Sequence, residues 1–464
     1  MSFQHLLRVA AWLLLPLAGS LGAQEPPERL QNLSQVFLTN HLERPLRYTP
    51  VGTDFVITNG AEFFNRPLYG PNNSFRVDAG DKPEFSLYLP GRGGNLRLGL
   101  KTPLGVKWLN DADKIVAHYR PGAMVYDIKD AVLMDNRELR LTLLPLSAGR
   151  GVIVRAEVNS AWMLIELVWA FGGANGMKGQ RSGDIGCERE PVGTFFQLAP
   201  EQCAGSEISL RTNTFTLRGK GGLIAGVASA WTELAVGDAN LWAQPEKLFA
   251  AQTNQSFSQP GAPLVTGRIA MPVTEPVYLA LQHLTDNAKP IAAEQLPELF
   301  AQAEEQRRAL AERVVVETPD LFVNAAAAAL NVAANAVWDL PQQSFMHGAV
   351  AWRTRLLGWR GPYSGDELGW HERTAAHFAG YARGQNTNAI PEIIPAPEEI
   401  SNLARNETAL HSNGDLTKTH YDMNLVAVDA FFRHLLWTGD LDYARKMWPV
   451  IERHLAWERR LFRR

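Results

Sequence analysis

Residues 291–316, IAAEQLPELFAQAEEQRRALAERVVV, mark the point at which the character of the chain changes. The stretch is rich in Ala, Glu, Gln, Leu and Arg, and its apolar residues recur every three or four positions, which predicts a helix. Before it, short β-branched or alternating runs are separated by Gly, Pro, Asn and Asp; after it, helical runs dominate. The sequence therefore predicts a β-rich half (residues 30–288), a linker helix (289–318) and a helical half (319–464).

Short strand-like runs recur throughout the β-rich half. They are residues 54–58, 84–89, 95–100, 139–144, 151–158, 163–170, 208–217 and 277–281. Many short strands with turn residues between them, and no regular helical crossover, are typical of a large antiparallel β-sandwich. The same pattern disfavours a parallel α/β sheet.

The helical half begins with a nearly all-apolar run, residues 321–338, which predicts a buried helix. Further helices are predicted at 370–383, 422–437 and 441–459, after a long connection at 339–369. Helix pairs joined by alternately long and short loops are expected of an (α/α)6 toroid. About four helices cannot close such a ring, so we expect an incomplete toroid. The alternative is a small four-helix domain packed on the sandwich.

The first 23 residues have the pattern of a cleaved signal peptide. Arg8 precedes the apolar run 9–17, and the small residues within 20–23 suit a signal peptidase. The alternative, an N-terminal membrane anchor, is disfavoured because the run is too short to span a bilayer. We expect a soluble mature chain in the periplasm or outside the cell, with no membrane span.

Composition limits the possible partners. The 464 residues carry a net charge of −3, so the chain has no basic field for nucleic acid. Thirteen Trp and ten Tyr suit a carbohydrate partner, because an aromatic face packs on the apolar C–H face of a pyranose; such residues are also common in cores. We predict no cofactor and no metal, because the sequence lacks a P-loop, a serine elbow and histidines at metal-ligand spacing.

Cys187 and Cys203 are the only cysteines. In an oxidising compartment they are expected to form a disulfide, with two free buried thiols as the alternative. Cys187 ends a glycine-rich segment, residues 171–187, which predicts a long loop from the sandwich to the mouth of the helical domain; a plain surface loop is the alternative. The candidate ligand-binding residues of this loop are Asn175, Lys178, Arg181 and Asp184.

The densest group of chemically active side chains lies at residues 351–376, AWRTRLLGWRGPYSGDELGWHERTAA. A sugar site needs carboxylates for proton transfer, cations and stacking rings, and this segment supplies all three. Asp366 and Glu367 are the predicted candidates for one catalytic carboxylate, and the second member of the pair is left open, with helices beyond Arg464 as one source. The alternative is a loop whose aromatic residues plug the interface between sandwich and helices. The predicted substrate-binding residues are Arg353, Arg355, Trp359, Arg360, Tyr363, Trp370, His371 and Glu372.

Part of this segment resembles a known family. Residues 355–361, RLLGWRG, resemble the loop after the first hairpin helix in six-hairpin glycosidases, most of all the α-L-rhamnosidase pattern E-R-x-G-W-x-G-D. Only residues 358–361 agree with it. The pattern's Glu, Arg and final Asp fall at Arg355, Leu356 and Pro362, so the family's catalytic acid is not matched.

A second resemblance covers most of the mature chain. Residues 59–70, NGAEFFNRPLYG, and 75–85, FRVDAGDKPEF, resemble secreted bacterial proteins with a domain of unknown function, which combine a β-sandwich with a six-hairpin barrel. Together the resemblances imply a carbohydrate-active protein, with glycoside hydrolysis by paired carboxylates as the leading hypothesis. One alternative is a non-catalytic carbohydrate-binding or assembly protein of a glycan-uptake system. The other is a polysaccharide lyase with a base among Tyr363, His411 and His420.

Overall fold

A computed structural model describes residues 46–131, 137–159, 164–179, 192–250, 260–285, 288–350, 353–355, 361–385, 387 and 421–461. The signal peptide predicted at residues 1–23 lies outside these ranges. Within them, strands come first and helices follow, as predicted, and the chain from Tyr48 onward packs as one unit. Among the described residues, no helix has both the length and the apolar character that a membrane crossing requires.

Two large antiparallel sheets make up the β-rich half. The strands are β1 (Thr49–Val51), β2 (Asp54–Thr58), β3 (Arg66–Tyr69), β4 (Arg76–Ala79), β5 (Glu84–Tyr88), β6 (Arg92–Thr102), β7 (Gly105–Trp108), β8 (Lys114–Arg120), β9 (Ala123–Lys129), β10 (Leu139–Pro145), β11 (Gly151–Val158), β12 (Glu166–Gly172), β13 (Glu207–Leu210), β14 (Thr214–Gly219), β15 (Gly222–Ala228), β16 (Glu233–Asp238), β17 (Pro263–Ala270), β18 (Val277–Leu284), β19 (Trp338–Asp339) and β20 (Ser344–Phe345). One sheet runs β1-β2-β8-β9-β10-β11-β18-β15-β14-β13, and the other runs β16-β17-β12-β6-β5-β4-β3 with β7 beside β6. The last two strands form a small hairpin after the first long helix of the helical half.

The main hydrophobic core lies between the two sheets. Phe85 of β5 packs against Tyr126 of β9, with ring centroids 5.9 Å apart, and Trp169 of β12 packs against Phe215 of β14 at 5.6 Å. All four side chains are almost completely buried. Each such side chain contributes roughly 1.5–3 kcal/mol to folding. Because the contacts join one sheet to the other, the predicted sandwich is confirmed.

One strand prediction is wrong. The run 208–217 is not a single strand but the hairpin β13–β14, in which Ile208 pairs with Leu217. The backbone turns at the polar residues between the strands, where the Arg211 N–H donates to the Thr214 carbonyl at 2.8 Å. Asn213 stabilises this turn through its side-chain amide, which donates to the Ala228 carbonyl.

Eight α-helices complete the described chain. Two short ones lie in the β-rich half, and the third lies within the predicted linker helix, packed on β10, β11 and β18. They are α1 (Val192–Phe196), α2 (Pro245–Ala250), α3 (Leu296–Ala311), α4 (Leu321–Ala336), α5 (Gly361–Glu367), α6 (His371–Arg383), α7 (Tyr421–Thr438) and α8 (Leu441–Leu461).

Hydrogen bonds to helix ends fix the positions of α3 and α4, the first two helices after the sandwich. Asp320 caps α4, because its carboxylate accepts the backbone N–H of Phe322 at 2.8 Å. The side-chain amide of Asn331 donates to the carbonyls of Ala311 and Val314, which ties α4 to the end of α3.

Helices α5 to α8 form a second packed group. Phe378 of α6, Phe431 of α7, and Met447 and Ile451 of α8 share one buried cluster. Gly439 makes the tight turn between α7 and α8 with a φ of +63°. The described helices follow the sandwich as predicted, whereas closure into an (α/α)6 ring and the proposed domain boundaries remain predictions.

Candidate functional site

The long connection predicted at 339–369 contains a helix, α5, and this corrects the sequence reading. Pro362 suits a first helical turn because its φ is already fixed. Gly361 and Gly365 allow α5 to lie directly on Phe345: a Cβ on Gly361 would be 2.4 Å from the Phe345 Cβ, and one on Gly365 would be 2.6 Å from the ring. These glycines therefore serve close packing rather than flexibility.

Asp366 faces inward from α5, and its side chain is only 2% exposed. Its Oδ1 lies 2.9 Å from the Nδ1 of His371 on α6 and 2.8 Å from the Nδ1 of His434 on α7. With the proton on Nδ1, each ring donates a hydrogen bond to the carboxylate. We call these three residues the Asp366 centre.

The two histidines of the Asp366 centre differ in exposure. The His434 side chain is 4% exposed, and its ring packs against Phe378 at 5.8 Å and Tyr443 at 5.5 Å. The His371 side chain is 40% exposed, so the centre reaches solvent on that side. One ligand atom from each member lies within 4.8 Å of the other two, so these residues could hold a metal ion.

Glu367 faces outward, although it follows Asp366 in sequence, because consecutive helical positions are about 100° apart. Tyr363 shares its face one turn earlier, and its hydroxyl donates to Asp429 Oδ2 at 2.7 Å. The Arg433 Nε donates to the same oxygen at 2.8 Å, and the guanidinium lies over the Tyr363 ring at 5.2 Å. We call Tyr363, Glu367, Asp429 and Arg433 the polar patch.

The polar patch holds its two carboxylates in different surroundings. The Tyr363 hydroxyl and then the Arg433 guanidinium lower the pKa of Asp429, so this group stays ionised. The pKa of Arg433 is raised, chiefly by Asp429 and in smaller part by Glu367. Asp429 contacts this guanidinium directly, whereas Glu367 acts on it at longer range. Such a pair can divide the roles of proton donor and base.

Arg353, a predicted substrate-binding residue, has a structural role in the fold. It forms an ion pair with Asp339 at 3.1 Å and donates to the backbone carbonyls of Ala336, Trp338 and Ala349. Burial lowers its pKa. The guanidinium thus fixes the connection after α4. Arg355 is exposed and pairs through its backbone with Met346.

The remaining predicted binding residues differ in their surroundings. The Trp370 ring lies against Arg373 at 4.4 Å and Arg313 at 5.9 Å, so guanidinium groups already stack on it. Glu372 is exposed in the first turn of α6. Trp359 and Arg360 lie outside the described residues.

The described part of the glycine-rich loop is tied to the sandwich. The Asn175 side chain accepts the Met177 backbone N–H at 3.0 Å, and the Met177 carbonyl accepts from Arg92 at 2.9 Å. Lys178 is exposed. These contacts do not test whether the loop reaches the helices, since Arg181 and Asp184 lie outside the described ranges.

Cys203 is fully buried beside Gly172, and burial raises the pKa of its thiol to about 12. It is bonded to no cysteine among the residues that the structure describes. Cys187 lies outside them, so the disulfide stays a prediction.

Sequence reasoning missed the contribution of α7. His434 is 68 residues from Asp366 and Asp429 is 66 residues from Tyr363, so no local spacing links them. The available signal was the group of polar residues, Asp429, Arg433 and His434, in the otherwise apolar stretch 425–437 of the helix. A buried or partnered role for these polar residues could have been expected from that pattern.

The chain is similar to one described protein family and to a solved structure. Residues 89–304 match the family described as Domain of unknown function (DUF4450), in agreement with the resemblance to a family of that kind. No curated protein matches the sequence. Among solved structures, the chain is similar to a bacterial glucoamylase complexed with acarbose, at 9% identity and a TM-score of 0.40, over 81% of this chain.

The chain spans 57% of that glucoamylase. The family match ends within α3, so both the Asp366 centre and the polar patch lie beyond it.

Proposed function

We propose that this protein is an exported carbohydrate-active enzyme, a glycoside hydrolase, with Glu367 and Asp429 as its working carboxylates. The observation that supports this most is the polar patch, in which Asp429 accepts hydrogen bonds from Tyr363 and Arg433 and Glu367 is exposed on the same helical face as Tyr363. The charged and aromatic composition of residues 351–376 and its resemblance to a glycosidase loop support the same proposal.

Hydrolysis of a glycosidic bond needs a group that protonates the leaving oxygen and a carboxylate that assists water or attacks the sugar carbon. Asp429 suits the second role, because Tyr363 and Arg433 keep it ionised. Glu367 suits the first, because it is exposed on the same face and can meet a substrate oxygen. Asp366, whose side chain is buried on two histidines, acts in this proposal as a positioning residue that holds α5 to α6 and α7.

The test is the release of reducing sugar from a panel of polysaccharides by the full chain. Glu367→Gln and Asp429→Asn each remove one ionisable group with little change of shape, and each should lower the rate about 10²–10⁴-fold. Glu452→Gln is the matched control, because Glu452 is an exposed carboxylate on α8 outside the polar patch. It should leave the rate within about twofold, as expected for a surface change.

Two results would contradict the proposal. Full activity in both Glu367→Gln and Asp429→Asn would remove the assigned roles. Glycan binding without any cleavage by the unaltered protein, seen by calorimetry on the same panel, would replace hydrolysis with recognition alone.

A further inference from the structure

The Asp366 centre contains a buried carboxyl group whose described hydrogen-bond partners are two imidazole rings. An ionised carboxylate in a protein interior requires a nearby positive charge, because desolvation makes an isolated charge costly. Among the described residues no lysine or arginine pairs with Asp366, and its hydrogen-bond partners are the two imidazoles. A cation bound among the three side chains would supply such a charge, and one ligand atom of each side chain lies within 4.8 Å of the other two.

Two of the three donor-atom pairs of the centre are close to the spacing of metal ligands. The Asp366 Oδ1 lies 2.8 and 2.9 Å from the two Nδ1 atoms. Nitrogen and oxygen ligands at about 2.1 Å from a metal lie about 3.0 Å apart at right angles and about 3.4 Å apart in a tetrahedron. These two pairs are therefore already near the right-angle spacing, and all three donor atoms lie within 4.8 Å of one another.

The surroundings hold the ligands in place from three helices. Asp366 ends the buried face of α5, His371 begins α6, and His434 lies inside α7 with its ring packed between Phe378 and Tyr443. Rigid, packed ligands are what a metal site requires, because their geometry is then set before binding. The half-exposed ring of His371 provides the route of entry and an open coordination position.

We infer that Asp366, His371 and His434 form a binding site for one divalent transition-metal ion of the zinc type. Two imidazole nitrogens and one carboxylate oxygen suit Zn²⁺, Co²⁺ and Ni²⁺, whereas Mg²⁺ and Ca²⁺ take oxygen ligands. Three protein ligands leave room for water or a substrate oxygen on the His371 side. The ion would also join α5 to α7, and with them the two halves of the polar patch. This inference reverses the prediction of no metal and does not depend on the proposed function.

The experiment is calorimetric titration of the chelator-treated full chain with zinc chloride. The expected result is one Zn²⁺ per chain and little heat with magnesium chloride. Asp366→Asn keeps an oxygen that can accept from the histidines but loses the charge, and His371→Ala removes the most exposed ligand. Each should weaken zinc binding at least about tenfold. His347→Ala, which removes an exposed histidine outside the centre, should bind zinc as the unaltered chain does.

Thermal unfolding provides a second readout if a variant binds nothing because it is misfolded. Zinc should raise the melting temperature of the unaltered chain and of His347→Ala, and should raise that of a folded Asp366→Asn less. Absence of stoichiometric zinc binding by the unaltered chain, or binding by Asp366→Asn and His371→Ala as tight as that of the unaltered chain, would overturn the inference. Glu367→Gln should bind zinc normally whatever its activity, so failure of the hydrolase proposal and failure of the metal site are distinguishable.

Discussion

The role of a single side chain in this protein depends on its contacts, and residues adjacent in sequence can have opposite surroundings. Asp366 and Glu367 are alternative candidates for one catalytic carboxylate in the sequence, yet the first is buried on two imidazoles and the second is exposed. The residue types could be picked out from the sequence, but their orientations could not, because the glycines around them suggested a loop. The contacts of Gly361 and Gly365 with Phe345 show why a helix fits there.

A glycine in the sandwich gives a test at the scale of one residue. A Cβ on Gly267 would lie 2.2 Å from the ring of Trp169, which is 1% exposed and cannot move aside. Gly267→Ala should therefore lower the free energy of unfolding by about 1–3 kcal/mol, as expected for overpacking. Urea denaturation measures this change. Gly261→Ala is the control, because nothing lies within 4 Å of its added carbon; equal shifts in the two variants would contradict the packing argument.

Helices with strong periodicity could be predicted from sequence almost to their ends, whereas weakly patterned elements could not. The runs 370–383 and 441–459 correspond to α6 (His371–Arg383) and α8 (Leu441–Leu461). The helix α5 and the division of β13 from β14 were missed. Their apolar residues alone do not determine where the chain turns, since tertiary contacts such as Phe345 on α5 decide it.

The packing of α6 on α8 gives a pH-dependent prediction. His454 of α8 is fully buried 3.2 Å from the Tyr381 hydroxyl of α6, and burial lowers its pKa to about 4. The unfolded chain, with an ordinary histidine pKa of about 6.5, binds more protons between these values. His454 therefore contributes about 3 kcal/mol to the free energy of unfolding above pH 6.5, and this contribution is lost as the pH falls to 4.

Denaturation of the unaltered chain and of His454→Gln across pH 4–7 measures this effect. The advantage of the unaltered chain over the variant should shrink as the pH falls. The difference is the useful quantity, because burial raises the pKa of Asp78 to about 6, and Asp78 contributes with the opposite sign in the same range. A difference that stays constant with pH would contradict the assignment to His454.

In the whole molecule, the order of a β-sandwich followed by helices could be predicted because the hydrophobic pattern changes at residues 291–316. Short strand-like runs precede this segment, and helical runs follow it. The contacts that join the two halves could not be predicted, because they are made by residues far apart in the sequence. Val350, from the connection after α4, packs into an aromatic cluster with Phe64, Tyr88 and Phe196 of the sandwich. Such contacts between distant residues leave no local pattern in a sequence.

Val350 therefore tests whether the two halves unfold together. Val350→Ala should lower the free energy of unfolding by about 1–3 kcal/mol, because the side chain is 4% exposed. Since the halves pack as one unit, helical circular dichroism and tryptophan fluorescence should shift by the same amount. Val273→Ala, at a site 47% exposed, should have almost no effect. A shift in the helical signal alone would contradict the single unit.

In the proposed hydrolysis Glu367 protonates the leaving oxygen of a glycosidic bond, and the leaving-group dependence of Glu367→Gln tests this role directly. The rate on a polysaccharide cleaved by the unaltered chain should fall at least about 100-fold. The rate on an aryl glycoside of the same sugar should fall far less, because an acidic phenol departs without protonation. Equal losses on both substrates, or no loss on either, would contradict the claim.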